Sequence, residues 1–198
     1  GGAKSFGVLS NCVIVGNSAD FNGGGVSGGQ VTCCALSNNS AVIGGGVAYS
    51  VVSRSVLVGN TARGGGGACE SDLYNCLLTG NVAEREGGAA LDCWLYNCTA
   101  TGNSAAVAGG CGACFVVMNS IVIGNAAVDY PNHKVEDPEV SSRWSYSCTY
   151  PLPEGPGNIT NEPAFLDTSA GDFRLRYGSP CIDAGTDLSA VISEDLSG

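Results

Sequence analysis

Apolar and polar positions alternate along this chain in short runs, with none of the i, i+3, i+4 spacing of an amphipathic helix, which predicts strands. A longer period phases the runs. Asn17-Ser18-Ala19, Asn39-Ser40-Ala41, Asn60-Thr61-Ala62, Asn81-Val82-Ala83, Asn103-Ser104-Ala105 and Asn125-Ala126-Ala127 follow one another at 22, 21, 21, 22 and 22 residues. Fifteen or sixteen residues before each Asn stands a glycine pair: Gly1-Gly2, Gly23-Gly24, Gly44-Gly45, Gly65-Gly66, Gly87-Gly88 and Gly109-Gly110. Aligned on the Asn, three columns read as inward-facing. Eight residues before it stand Leu9, Val31, Val52, Leu73, Leu95 and Val117; five before it, Cys12, Cys34, Ser55, Cys76, Cys98 and Ser120; three before it, Ile14, Leu36, Leu57, Leu78, Ala100 and Val122. Two residues after the Asn an Ala always fills a tight interior corner.

A unit this short cannot bury its apolar side alone, so successive units must stack on one shared core. The expected fold is all-β: a right-handed, three-sided parallel β-helix of about six regular coils with a C-terminal capping segment. Residues 1–128 form the regular coils. Residues 129–198 form a loop, a degenerate last coil and an acidic cap within the same domain. In this arrangement Asn17, Asn39, Asn60, Asn81, Asn103 and Asn125 pile into a side-chain amide ladder. A second, partial ladder is expected from Asn11, Asn75, Asn97 and Asn119, broken by Cys33 and Arg54. The Gly pairs read as corners, since no Gly-Lys-Ser/Thr follows them to bind phosphate.

Charge changes near Asp129. Residues 1–128 carry 6 acidic and 4 basic side chains, against 12 and 4 in residues 129–198. Tyr130 to Glu139, with the single His133, reads as an inserted surface loop, Ser145 to Thr149 as the degenerate coil, and Phe165 to Asp183 as the cap over the core's end. A net charge of -10 with scattered Lys and Arg excludes a nucleic-acid partner. No apolar stretch is long enough for membrane insertion of this segment. Gly1 falls at the first position of a coil, where upstream residues or another molecule are expected to cover the stack.

The chain has 11 Cys. The four in the inward column read as small buried hydrophobes. Cys12 with Cys34 and Cys76 with Cys98 lie one coil apart, and Cys111-x-x-Cys114 lacks the second pair that a zinc site needs. A disulfide is expected between Cys148 and Cys181, both in the irregular C-terminal region.

The pattern Asn-Cys-x-x-x-Gly-Asn at Asn11 to Asn17, Asn75 to Asn81 and Asn97 to Asn103, with Gly-Gly-Gly-Val at Gly23 to Val26 and Gly44 to Val47, resembles bacterial right-handed β-helix repeat proteins. Phe21-Asn22-Gly23-Gly24 is similar to the passenger repeats of chlamydial polymorphic outer-membrane proteins. The run Gly157-Asn158-Ile159, Glu162-Pro163-Ala164-Phe165, Asp172-Phe173-Arg174-Leu175 and Gly178 to Gly185 resembles the end of exported choice-of-anchor β-helix proteins. The resemblance implies a secreted or cell-surface location and oxidising surroundings.

β-Helices of this kind include polysaccharide lyases and glycosidases, so the resemblance allows a catalytic role. Glycoside hydrolysis needs two facing carboxyls, and a lyase needs a base with a cation. The candidates for either chemistry, or for Ca²⁺, are Glu70, Asp72 and Asp92. Glu70 and Asp92 share a column and Asp72 lies two residues on, with Arg63, Glu84, Arg85 and Glu86 at the neighbouring corner. The Gly-His-Gly, Asp-Asp and Arg-x-Pro-x-x-Arg patterns of the pectin-degrading groups are missing, and His133 has no Ser-His-Asp context. The sequence therefore favours a non-enzymatic extracellular stalk, adhesin or assembly unit without cofactor. It would self-associate end to end or laterally through outward apolar columns at Val13 and Val15, Val56 and Val58, Ile121 and Ile123, with carbohydrate as a further partner. The alternative is a polysaccharide-active enzyme, with Ca²⁺ as its cofactor if a lyase.

Overall fold

The computed structural model describes residues 3–4, 7–112, 114, 116–133 and 143–190. They wind as a parallel β-solenoid of about five turns with three parallel sheets, followed by a small antiparallel hairpin, Phe165–Asp167 with Asp172–Leu175. The first sheet includes Val26–Thr32, Val47–Ser53, Asp72–Tyr74, Trp94–Tyr96, Val116–Met118 and Arg143–Ser145. The second runs from Val13–Val15 through Ala35–Ser37, Val56–Val58, Leu77–Thr79, Thr99–Thr101 and Ile121–Ile123 to Cys148–Thr149. The third comprises Ser40–Ile43, Thr61–Gly64, Val82–Glu86 and Ser104–Ala105.

Register holds the inward columns together. Leu36, Leu57, Leu78, Ala100 and Val122 pair in succession, as do Val31, Val52, Leu73, Leu95 and Val117, and all ten are fully buried. Each larger side chain so buried contributes about 1.5–3 kcal/mol. The Asn ladder lies at one edge of this core. Asn39 Nδ2 donates to Asn60 Oδ1 (3.0 Å), Asn60 to Asn81 (3.0 Å), Asn81 to Asn103 (2.9 Å) and Asn103 to Asn125 (2.9 Å). Each acceptor oxygen also takes the backbone N–H of the Asn before it. The second amide hydrogen goes to a main-chain carbonyl one coil back, such as Leu57 for Asn81 (2.9 Å). Burying these amides is tolerable because every donor is used.

The inward-column cysteines Cys34, Cys76 and Cys98 are buried in the core as expected, with Cys12 packed against it, and they also hydrogen-bond. The Cys34 N–H donates to Ser55 Oγ (3.0 Å), the Cys98 N–H to Ser120 Oγ (3.0 Å) and the Ser120 N–H to Ser147 Oγ (3.1 Å). The thiols and hydroxyls in turn donate to the carbonyl two residues back, as Cys34 to Thr32, Ser55 to Ser53 and Cys98 to Tyr96. Ser50, Ser71 and Cys93 repeat the device on the neighbouring side. Cys and Ser alternate in these columns because each supplies a small donor and acceptor at the same place.

Corner residues follow backbone demands. Gly44 and Gly65 have φ of 64° and 65°, and a Cβ on Gly45 would collide with the carbonyls of Thr61 and Gly66 in the next coil. What the supposed second ladder shares is conformation: Asn11, Cys33, Arg54, Asn75, Asn97 and Asn119 all have φ between 46° and 55°. Asn recurs there because it tolerates the left-handed region. Two of its side chains bond away from the column, Asn11 to Ser10 and Asn119 to Thr186.

The last coil departs most from expectation. His133, expected at a loop surface, is 2% exposed. It bridges Gly112 at the end of the inward column Val26, Val47, Ala68 and Ala90, and its ring packs against Trp144, centroids 4.6 Å apart. The column narrows to glycine and then accepts an imidazole. Asn132 precedes it and supplies a further rung, its Oδ1 accepting from Asn125. The expected loop thus begins as coil, and its remainder, 134–139, lies outside the described residues. Beneath this coil run residues 153–161. Asn158 Oδ1 accepts from the Ser147 N–H (3.1 Å), its Nδ2 donates to the Trp144 carbonyl (3.0 Å), and Ile159 bridges Cys148. Of the expected cap, Phe165 to Asp183, Leu175 and Cys181 line a cavity against the second sheet's last coils, and beyond it Thr186 and Asn119 exchange two hydrogen bonds.

Candidate functional site

The outer face of the first sheet carries the candidate acids. Gly28, Tyr49, Glu70 and Asp92 form one left-handed corner column, with φ of 82°, 54°, 45° and 53°. Asp72 lies on the adjoining strand, in register with Val51 on one side and Trp94 on the other. Tyr74 and Tyr96 pair one place further along, their rings stacked with centroids 5.2 Å apart and planes 5° from parallel. Tyr49 and Trp94 are 46% and 42% exposed, which leaves aromatic surface available beside the carboxyls.

The acids do not act as one group. Desolvation, followed by the charge of Glu70, holds the Tyr49 phenol above its usual range. Burial raises Asp72, which in turn helps to raise Tyr74 and Tyr96 beyond what their own burial does. Asp92 lies toward the buried Cys69, whose thiol is pushed up to about 12 by burial and then by Asp92 and Glu70. Among the described residues no three His, Cys, Asp or Glu side chains converge as metal ligands. The Glu70, Asp72 and Asp92 set therefore lacks a Ca²⁺ cage, and the buried Cys111 and Cys114 lack further zinc ligands among the described residues. Arg63, Glu84 and Arg85 are exposed on the third sheet.

A cavity of about 240 Å³ lies elsewhere, between the second sheet's last coils and the C-terminal segment. Asn119, Ile121, Tyr146, Cys148, Leu175 and Cys181 line it, and none of the three acids does. Cys148 and Cys181, expected as a disulfide, both line this cavity as free cysteines. Sequence periodicity missed this cavity because the chain that closes it is outside the repeat.

The outward valines of the second sheet divide along its length. Val13, Val15 and Val58 are 77%, 52% and 38% exposed, whereas Val56, Ile121 and Ile123 are half-buried. The C-terminal segment shields the Ile121 end.

Comparison of the chain with protein-family models, with curated proteins and with solved structures finds no match. The β-helix implied by the repeat motifs is present, without an identified family or homologue. The fold defines the class: a parallel β-solenoid braced by an asparagine ladder.

Proposed function

We propose that this protein is a non-catalytic, surface-displayed β-solenoid that binds neutral glycans on the outer face of its first sheet. The observation behind this reading is the Tyr74 and Tyr96 stack beside exposed Trp94, with Asp72 in register with Trp94. Flat aromatic rings cover the C–H faces of sugars, while carboxylates accept hydrogen bonds from hydroxyls. Stacked coils repeat at about 4.8 Å, comparable to one sugar unit, so a glycan lying along the axis would pass Asp72 and Trp94 in one column beside Tyr74 and Tyr96 in the next. The net charge of -10 disfavours anionic polysaccharides. The exported location rests on the resemblance of the C-terminal motifs.

Binding of neutral gluco-, xylo- and manno-oligosaccharides, with a uronate oligosaccharide alongside, tests the proposal by calorimetry. Trp94→Ala should weaken binding at least about tenfold, a loss of one stacked ring, while Val13→Ser should leave it unchanged. No binding to any neutral glycan, or binding indifferent to Trp94→Ala, would overturn the reading. Turnover of a uronate polymer that is abolished by Asp92→Asn would establish the enzyme alternative instead.

A second reading, lateral self-association, is favoured by the exposed row of Val13, Val15 and Val58. Light scattering over a concentration series should then show dimers that Val13→Lys abolishes. A strict monomer removes it.

A further inference from the structure

Cys148 and Cys181 join two parts of the chain that the repeat does not connect. Cys148 sits in the second-sheet strand Cys148–Thr149, 3% exposed, with its thiol donating to the Asn161 carbonyl at 3.0 Å. Cys181 follows the hairpin, half-buried, with its N–H donating to Ser179 Oγ at 3.2 Å. Both line the 240 Å³ cavity. On the same flank the segment is tied to the coils by two hydrogen bonds: Asn119 Nδ2 to the Thr186 carbonyl (2.6 Å) and the Thr186 N–H to Asn119 Oδ1 (2.9 Å).

We propose that Cys148 and Cys181 are a redox latch, which thiol–disulfide exchange with a small-molecule disulfide entering this cavity closes, fixing the C-terminal segment against the Asn119 and Ile121 flank. The roles of the thiols follow from their settings. Cys181 borders the cavity and is partly exposed, and the neighbouring Cys148 and Ser179 draw its thiol below the usual range, so it is the attacking group. Cys148 is held high by its neighbour Cys181 and by burial, which suits the resolving role. The Cys181 thiolate attacks one sulfur of RS–SR; RS⁻ leaves and takes a proton, giving a mixed disulfide. Cys148 then loses its proton to water and attacks Cys181 Sγ, expelling the second RS⁻. Two protein thiols are oxidised to one disulfide and RS–SR is reduced to two RSH. The other buried thiols are poor competitors: Cys34, Cys76, Cys93 and Cys114 are all raised by their surroundings. The latch is independent of the proposed glycan face, which lies on the first sheet.

The test exposes the reduced chain to graded ratios of oxidised and reduced glutathione, followed by acid quench and peptide mapping. The expected product is the Cys148–Cys181 linked peptide, two hydrogens lighter than the thiols and reversed by dithiothreitol. Amide exchange at Thr186 should slow about tenfold on oxidation, as expected of a segment whose local opening is suppressed. Cys148→Ser should trap glutathione on Cys181, and Cys181→Ser should abolish glutathione uptake at position 148. Should Cys148→Ser fail to fold, Cys181→Ser, in the irregular segment, still discriminates. Oxidation that links other cysteines first, a stable glutathione adduct on Cys181 in the unaltered chain, or linkage that leaves Thr186 exchange unchanged would each overturn the proposal.

Discussion

Asn132 Oδ1 accepts both the backbone N–H and the Nδ2–H of Asn125, at 3.1 and 3.3 Å, although only seven residues separate them. Every earlier step of the ladder spans 21 or 22 residues. A residue of the coil's corner therefore supplies the rung that a regular seventh repeat would have supplied. Its own Nδ2 donates to the Tyr150 carbonyl at 2.7 Å, so the ladder closes on a main-chain acceptor.

The ladder is directional, and substitutions along it should be unequal. Asn17→Ala removes one donor at the ladder's start and should cost about 1 kcal/mol or less. Asn132→Ala leaves two buried Asn125 donors without their acceptor, at about 1–3 kcal/mol. Asn81→Ala strips the acceptor from two Asn60 donors and a donor from the Leu57 carbonyl, and should cost about 3 kcal/mol or more. Urea denaturation of the three variants gives the ranking. Equal losses would mean that the amides act as independent side chains.

Inside and outside alternate within single strands. Leu78 is fully buried between Leu57 and Ala100, while Thr79 faces outward between Val58 and Thr101. Leu78→Asp places an unpaired carboxyl in the axial core and should cost several kcal/mol, about 4 or more. Thr79→Asp should stay within about 1 kcal/mol. Thermal melts of both variants check the register.

The columns were legible because each recurs at constant spacing, so burial in one coil implies burial in the next. Leu36, Leu57 and Leu78 announce the core in this way. Asn132, His133 and Trp144 escape that logic. Between Met118 and Ser145 the coil spacing lengthens to 27 residues, which shifts every later position out of phase. The acids were placed correctly on one column and its neighbour, but Glu70 and Asp92 occupy left-handed corners, a backbone demand that residue type alone did not reveal. The Tyr74 and Tyr96 stack needed the outward face to be seen whole.

Ser55 tests what the cysteine and serine column is for. Its hydroxyl accepts from the Cys34 N–H at 3.0 Å and donates to the Ser53 carbonyl at 2.7 Å, with the residue 1% exposed. Ser55→Cys keeps a small donor and acceptor in place and should change stability by less than about 1 kcal/mol. Ser55→Ala orphans a buried N–H and should cost about 1–3 kcal/mol. If alanine proves as good as cysteine in denaturant titrations, the column is only a packing device.

His133 gives the end of the solenoid a pH dependence of defined sign. Burial pushes its imidazole down to about 4, from an ordinary value of 6.5. Its Nδ1 lies 3.5 Å from the Thr149 hydroxyl, Trp144 covers its ring, and Nε2 has no hydrogen-bond partner among the described residues. Folding therefore favours the neutral ring. The stability this confers is complete above pH 6.5 and is lost as pH falls from 6.5 towards 4, where the loss reaches about 3 kcal/mol. Asp172, lowered to about 2 by Arg174, and Asp167 contribute in a separate window, below the ordinary carboxylate value. His133→Phe fills the same core position with a group that cannot titrate, and should flatten the stability curve between pH 6.5 and 4 while leaving the more acidic decline in place. Denaturant midpoints at pH 7, 5.5 and 4.5 for both chains measure this. Parallel curves would show that the imidazole is already charged in the folded state.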